Sequence, residues 1–219
     1  AKYAGNWDPN SKQPFTYKLQ RWILSNTFLT RNMQVLVYGD WENQTKNIKP
    51  FFTATYSKNE IIEIPIRKLS NKLKFIFVGT LSSGKNPIYA VQLLENLSKH
   101  GFQVDLELYG EGKERKAIED YIHINNLSDI ITLKGNQSQE IIKRAYQESH
   151  FLILPSKSEG WPKVVAEAMF WGCIPLASPV SCVPYMMGNG SRGVVLKEKL
   201  LEDSNQIVQV INNQENYQK

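Results

Sequence analysis

A Rossmann-like α/β fold, a parallel sheet with flanking helices, is what this 219-residue chain predicts from about Lys72 onward. Three observations predict it. Short, continuous apolar runs such as Phe75–Val78 and Phe151–Leu154 recur along the chain, and they suit strands buried on both faces. Between them lie amphipathic stretches with one apolar stripe, as in Ile88, Val91, Leu94 and Leu97. The connections carry Gly, Asn and Pro where helices should begin and end. Strands alternating with helices of about 10–15 residues argue for a parallel sheet with right-handed crossovers.

The elements follow in order. Residues 1–14, rich in Asn, Pro, Lys and Gly, read as loop. Tyr17 to Leu29 reads as a helix, Gln34 to Tyr38 as a strand, and Phe51 to Tyr56 as a second strand. Residues 57–72 contain a connection. Phe75 to Val78 is the first strand of the regular part. Asn86 can then cap a helix, Pro87 can open it where a missing N–H costs nothing, and Gly101 can close it. Val104 to Tyr109 alternates as a strand and ends in Gly110-Glu111-Gly112. A helix over 113–125, a strand at Ile130–Leu133, a helix over 138–148 and a strand at 151–154 come next. A helix over 162–172 with Pro162 near its start, a strand over 173–177, a short strand at Val194-Val195 and a helix near 199–212 complete the series. No internal repeat or low-complexity segment is present.

Composition narrows the function classes. Hydrophobic residues make up 42% and charged residues 21%, enough for a packed core. The net charge of +5 admits nucleic acid, an anionic membrane surface or phosphate-bearing ligands, and equally a solvated lysine-rich surface. No run of five or more Lys and Arg appears, so no nucleic-acid partner is expected. Cys173 and Cys182 are no disulfide framework, and Cys173 reads as a small buried hydrophobe. No apolar stretch approaches the roughly 18 residues of a membrane helix, and no signal peptide is visible. A cytoplasmic setting is expected. The chain begins at Ala1 inside what reads as domain sequence, which suggests a piece of a longer protein. The histidines His100, His123 and His150 are scattered without metal-ligand spacing.

The stretch Ser156 to Met169 carries most of the chemistry. It links the apolar run 151–154 to an amphipathic helix, and an open parallel sheet places its ligands in such a loop. Glu159 lies in the loop and Glu167 lies eight residues on, inside the helix. Backbone N–H groups at a helix start favour a diphosphate, and a deeper carboxylate can accept bonds from two neighbouring sugar hydroxyls. The loop Gly79-Thr80-Leu81-Ser82-Ser83-Gly84-Lys85 offers a second phosphate-approach segment, with Lys85 as the cation. Its spacing fits G-x4-G-K of a P-loop, but Asn86 stands where a magnesium-binding Ser or Thr belongs, and no Walker B aspartate is clear. Gly110-Glu111-Gly112 lacks the third glycine of a dinucleotide fingerprint, and Gly135-Asn136 is equally compatible with a plain turn. Trp161 either packs on a sugar or fills the core.

Glu159 and Glu167 match the E-x7-E motif of retaining family-4 glycosyltransferases, whose GT-B fold has two facing Rossmann-like domains. Pro155-Ser156, Glu159-Gly160-Trp161-Pro162, Glu167-Ala168-Met169 and Gly172-Cys173-Ile174-Pro175 agree in order, and the resemblance runs from about Lys74 to Val195. It implies residues 1–70 as the tail of an N-terminal acceptor domain plus linker, 71–213 as a nucleotide-sugar domain, and 214–219 as a polar tail. The family's closing helix, which crosses back to the first domain, reads as missing or short. The resemblance implies transfer of a sugar from a nucleoside diphosphate sugar with retention, in surface polysaccharide or glycolipid synthesis. The acceptor would be a saccharide or lipid-linked, with peripheral membrane association. Lys85 would contact the diphosphate, Glu159 the transferred sugar and Glu167 the ribose. Gly79, Thr80, Gly110, Gly135, Asn136, Gly160, Trp161, Lys163 and Val164 would complete the donor site. Thr80 replaces the Arg usual after the first glycine. No metal and no cofactor are expected, and no D-x-D is present. A nucleotide-binding module without turnover and a GT-B epimerase acting on a UDP-sugar are the other readings.

Overall fold

The structure, a computed structural model, describes every residue except 4, 10, 66, 70, 71 and 214–219. The expected polar tail at 214–219 lies outside the described residues.

Six parallel strands form the main sheet: β3 (Leu73–Val78), β4 (Val104–Tyr109), β5 (Ile131–Gly135), β6 (Phe151–Leu154), β7 (Ile174–Ala177) and β8 (Val194–Val195). Their order is β5-β4-β3-β6-β7-β8, the doubly wound arrangement, in which the chain reverses its direction of growth between β3 and β6. The connecting helices are α2 (Pro87–Lys99), α3 (Arg115–Ile124), α4 (Gln139–Glu148), α5 (Lys163–Phe170), α6 (Val183–Met186) and α7 (Leu200–Asn212).

Strand periodicity sorts the side chains into two cores. Phe75, Phe77, Phe151, Ile153 and Leu176 point to one face, where they meet Leu93, Leu94 and Leu97 of α2, Ile118 of α3 and Ile207 of α7. Ile76, Leu152, Leu154 and Ala177 point to the other, against Tyr146 of α4 and Val165, Ala168 and Trp171 of the α5 region. Both strand faces are therefore apolar, which is why these strands read as continuous hydrophobic runs. Each large aliphatic or aromatic side chain fully buried here stabilises by roughly 1.5–3 kcal/mol. The last helix is held by more than packing: Tyr89 donates to the buried Asp203 at 2.6 Å, and Asp203 also accepts from the Lys197 amide at 2.8 Å.

The first part of the chain is smaller. Strands β1 (Val35–Tyr38) and β2 (Ile48–Phe51) pair in parallel, and Lys2 bridges to Leu36 on β1, so residues read as loop contribute an edge. Tyr3, Trp7, Val35, Val37 and Ile48 form its core. Helix α1 spans Phe15–Ser25 and buries none of its residues. It stops short of the expected Leu29 because the Asn26 side chain accepts the amides of Phe28 and Leu29, both at 3.0 Å, which turns the chain. The second strand also lies earlier than expected. Residues 52–56 have β-favouring side chains but leave the sheet to pack against α5.

Two smaller expectations change. Asn86 sits at the N-cap of α2 in a left-handed conformation (φ 52°), and its side chain makes no capping bond. Pro162 is the N-cap of α5, one residue before the helix, not its first residue. Among the described residues no helix is long and apolar enough to cross a membrane. Both cysteines are buried and free.

Candidate functional site

Every predicted site residue lies at or beyond the carboxyl end of a strand. Gly79, Thr80 and Lys85 follow β3, and Gly110 follows β4. Gly135 ends β5 with Asn136 beyond it. Glu159, Gly160 and Trp161 lie between β6 and α5, and Lys163, Val164 and Glu167 lie in α5. The β3 and β6 loops meet at the switch in strand order, where open α/β sheets place ligands.

Two contacts join those loops. The Lys157 amide donates to the Gly84 carbonyl at 2.8 Å, and Lys85 Nζ donates to Glu159 Oε1 at 2.5 Å. Glu159 keeps 7% of its side chain exposed and Lys85 keeps 30%, so the carboxylate is buried and the lysine reaches solvent. A buried carboxylate is costly unless paired, and Lys85 meets that need while keeping further N–H donors for a second anion. Ser156, fully buried at the start of the same loop, has a hydroxyl without a hydrogen-bond partner among the described residues. Such orphaned groups are uncommon in a packed interior.

Glu167 lies deeper. Its Oε1 accepts from Thr55 Oγ1 at 2.5 Å, and its Oε2 accepts from the Tyr146 hydroxyl at 3.3 Å. Burial first, and then the neighbouring Glu167 charge, raises the Tyr146 phenol well above the usual tyrosine value and keeps it a donor. Trp161 stacks on Tyr38 at 5.7 Å, meets Phe52 at 5.3 Å, and donates its indole N–H to the Thr53 carbonyl at 2.9 Å. Trp161 thus packs against the first part of the chain and stays half-exposed. The Gly160 carbonyl accepts from Ser181 Oγ at 3.0 Å. The Lys163 amide donates to the Trp161 carbonyl at 2.9 Å.

The glycine pair after β4 has an internal reason. A Cβ on Gly110 would stand 2.0 Å from the Gly79 carbonyl oxygen, and one on Gly112 would stand 2.2 Å from that of Leu81. The two loops are laced by Leu81 N to Glu111 O and Glu114 N to Leu81 O, both 3.0 Å. Gly135 closes the row, its carbonyl accepting from the Gly110 amide at 2.9 Å, while Asn136 is exposed. Thr80 is exposed and Val164 is half-buried in the second core.

Thr55, Tyr146 and Ser181 were not singled out by sequence reasoning, because each meets the site only through tertiary contacts more than 20 residues distant in sequence. Among the described residues no cluster of His, Cys, Asp or Glu could hold a metal ion. A separate groove, lined by Gly190, Val195, Lys197, Gln206 and Gln209 between β8 and α7, contains none of the predicted residues. Lys197 is the one charged side chain among its described lining residues, and it is paired with Glu202 at 3.1 Å.

The family model described as glycosyl transferases group 1 matches residues 58–219, and the chain belongs to that family. An uncharacterised glycosyltransferase of Methanocaldococcus jannaschii is 28% identical over 141 residues, covering 64% of this chain and 38% of that protein. The alpha-D-kanosaminyltransferase of Streptomyces kanamyceticus is 26% identical over 121 residues, covering 55% and 31%. Among solved structures, a point mutant of S. aureus TarM in complex with fondaparinux, alpha-GlcNAc-glycerol and UDP superposes with a TM-score of 0.74 at 17% identity. That match covers 99% of this chain and 44% of TarM, which supports the Rossmann-like half of a GT-B architecture. The chain thus spans less than half the length of each of these proteins.

Proposed function

We propose that this chain supplies the donor-binding half of a retaining glycosyltransferase, with residues 71–213 binding a nucleoside diphosphate sugar and residues 1–70 belonging to the acceptor side. The observation that carries the reading is the pairing of Lys85 with Glu159 at the β3–β6 switch point, with Glu167 in the helix that follows the same loop. In this reading Lys85 holds the diphosphate through N–H groups not engaged by Glu159. Glu159 positions the transferred sugar and favours positive charge developing on its anomeric carbon. Glu167 accepts the ribose hydroxyls. The bond from the anomeric carbon to the phosphate oxygen breaks, and the acceptor hydroxyl oxygen bonds to that carbon on the same face. Its proton passes to the leaving phosphate, which needs positioning more than a strong base. The acceptor is a saccharide or a lipid-linked sugar, in surface polysaccharide or glycolipid synthesis. TarM's complex with UDP supports the choice of donor class.

The test is thermal stabilisation by UDP, GDP, ADP and CMP, on this chain and on Glu167→Ala. A ligand bound only by the folded state stabilises by about 2.7 kcal/mol at a hundredfold excess over its dissociation constant. One nucleoside diphosphate is expected to give the largest shift, lost in the variant. No shift with any of the four counts against the reading. A second reading is a nucleotide-binding module without turnover of its own. Donor hydrolysis or sugar transfer by this chain alone would exclude it.

A further inference from the structure

Glu167 is gripped from two directions. Tyr146 comes from α4, is fully buried, and reaches Oε2 at 3.3 Å. Thr55 comes from the exposed connector between β2 and β3, 112 residues away in sequence, and reaches Oε1 at 2.5 Å. A glutamate side chain on a helix ordinarily samples several rotamers, and selecting one on binding a ligand costs entropy. Here each carboxylate oxygen already accepts one hydroxyl, which fixes the side chain without neutralising it. Each ionised oxygen offers about two accepting positions, so both oxygens keep capacity for a further donor. Two adjacent acceptors, held in place, suit two adjacent hydroxyls.

We infer that Tyr146 and Thr55 are positioning residues that orient Glu167 for the vicinal diol of a ribose. The inference rests on the donor reading above. Tyr146 stays protonated, so its role as donor is fixed. Neighbouring groups hold the Thr55 segment: the Thr53 carbonyl accepts from the Trp161 indole at 2.9 Å, and Tyr56 packs against Phe170 and Trp171 at 5.3 and 4.9 Å. Ribose recognition therefore depends on where the connector from the first sheet lies, and a variant of Thr55, on a different element from Glu167, alters it.

The test is calorimetric titration with UDP and 2′-deoxy-UDP, with the GDP and ADP pairs run in parallel. The proteins are wild type, Glu167→Ala, Tyr146→Phe and Thr55→Val. The readout is the ratio of deoxy to ribo dissociation constants. A preference for the ribonucleotide of about tenfold or more is expected for the wild type, the value of one charge-assisted hydrogen bond. Glu167→Ala should bring the ratio near one. Tyr146→Phe and Thr55→Val should each lower it by roughly threefold or more, since lost orientation removes part of such a bond. Their affinity for 2′-deoxy-UDP, which keeps only the 3′-hydroxyl for Glu167, should fall less than their affinity for UDP. That arm separates positioning from general damage, which would weaken both ligands alike. If Tyr146→Phe fails to fold, the exposed Thr55→Val carries the test. Should Glu167→Ala keep the wild-type ratio, or should none of these nucleotides bind, the donor reading itself fails. Should Glu167→Ala collapse the ratio while the other two variants keep or raise it, the positioning inference alone is overturned.

Discussion

The two sheets of this protein bury their residues to different degrees. In the six-stranded sheet, Ile76, Phe77, Leu106, Leu152 and Ile153 are fully buried, and helices cover both faces. In the smaller sheet only one compact cluster forms around Trp7 and Val35, while α1 leaves Phe15 75%, Trp22 60% and Leu19 43% exposed. The difference teaches where the site gets its precision. Lys85, Glu159 and Glu167 stand on loops and a helix fixed by the larger core. The side chain that reaches Glu167 from the first part, Thr55, is exposed, as is Phe52 against Trp161. A site built on rigid elements holds its geometry, and the segment that touches it from outside is the part free to differ.

The largest expected effect sets one sheet directly against the other. Phe77→Ala should cost about 3–5 kcal/mol of unfolding free energy, while Phe15→Ala should stay within about 0.5 kcal/mol. Urea denaturation of both variants checks this, and equal losses would break the contrast. Gly110→Ala comes next, with a Cβ placed 2.0 Å from the Gly79 carbonyl at φ +135°. It should cost about 1–3 kcal/mol and loosen the β3 loop, visible as faster amide exchange at Leu81 and Glu114. Lys85→Met strands the buried Glu159 and should cost about 1–2 kcal/mol, less than for a fully enclosed pair because Lys85 is 30% exposed. Adding Glu159→Gln should recover part of that loss in a denaturation cycle.

The smallest effect lies at the junction of the two regions. His150 Nδ1 accepts the Lys74 amide at 3.0 Å, and burial, the first cause, lowers its pKa below the usual 6.5. The folded chain keeps this imidazole neutral while the unfolded chain protonates it near pH 6.5. Its contribution to stability is therefore complete above that pH and declines as pH falls through it. Denaturation midpoints at pH 7.5, 6.5 and 5.5 should show this decline, and His150→Gln should flatten it.

The same contrast governs what the sequence reveals. Strands buried on both faces announce themselves as Phe75–Val78 and Phe151–Leu154 do, and the loops after them carry the site by topology alone. The ends of α1 and β2 were harder to read because the Asn26 turn and the packing of residues 52–56 on α5 override local propensity. Within the site, the positions of Glu159 and Glu167 were legible from their spacing. The Lys85–Glu159 ion pair was not, because 74 residues separate its partners. The hydroxyls of Thr55 and Tyr146 have no local signature at all.

The most direct test of the central claim is backbone amide NMR during titration with UDP, with GDP and ADP in parallel. A donor site at the switch point predicts that the largest shifts fall on Gly79–Lys85 and on Ser156–Trp161, with Glu167 following. Shifts confined to Gly190, Lys197 and Gln209 in the groove between β8 and α7, or no shifts with any of the three, would contradict it.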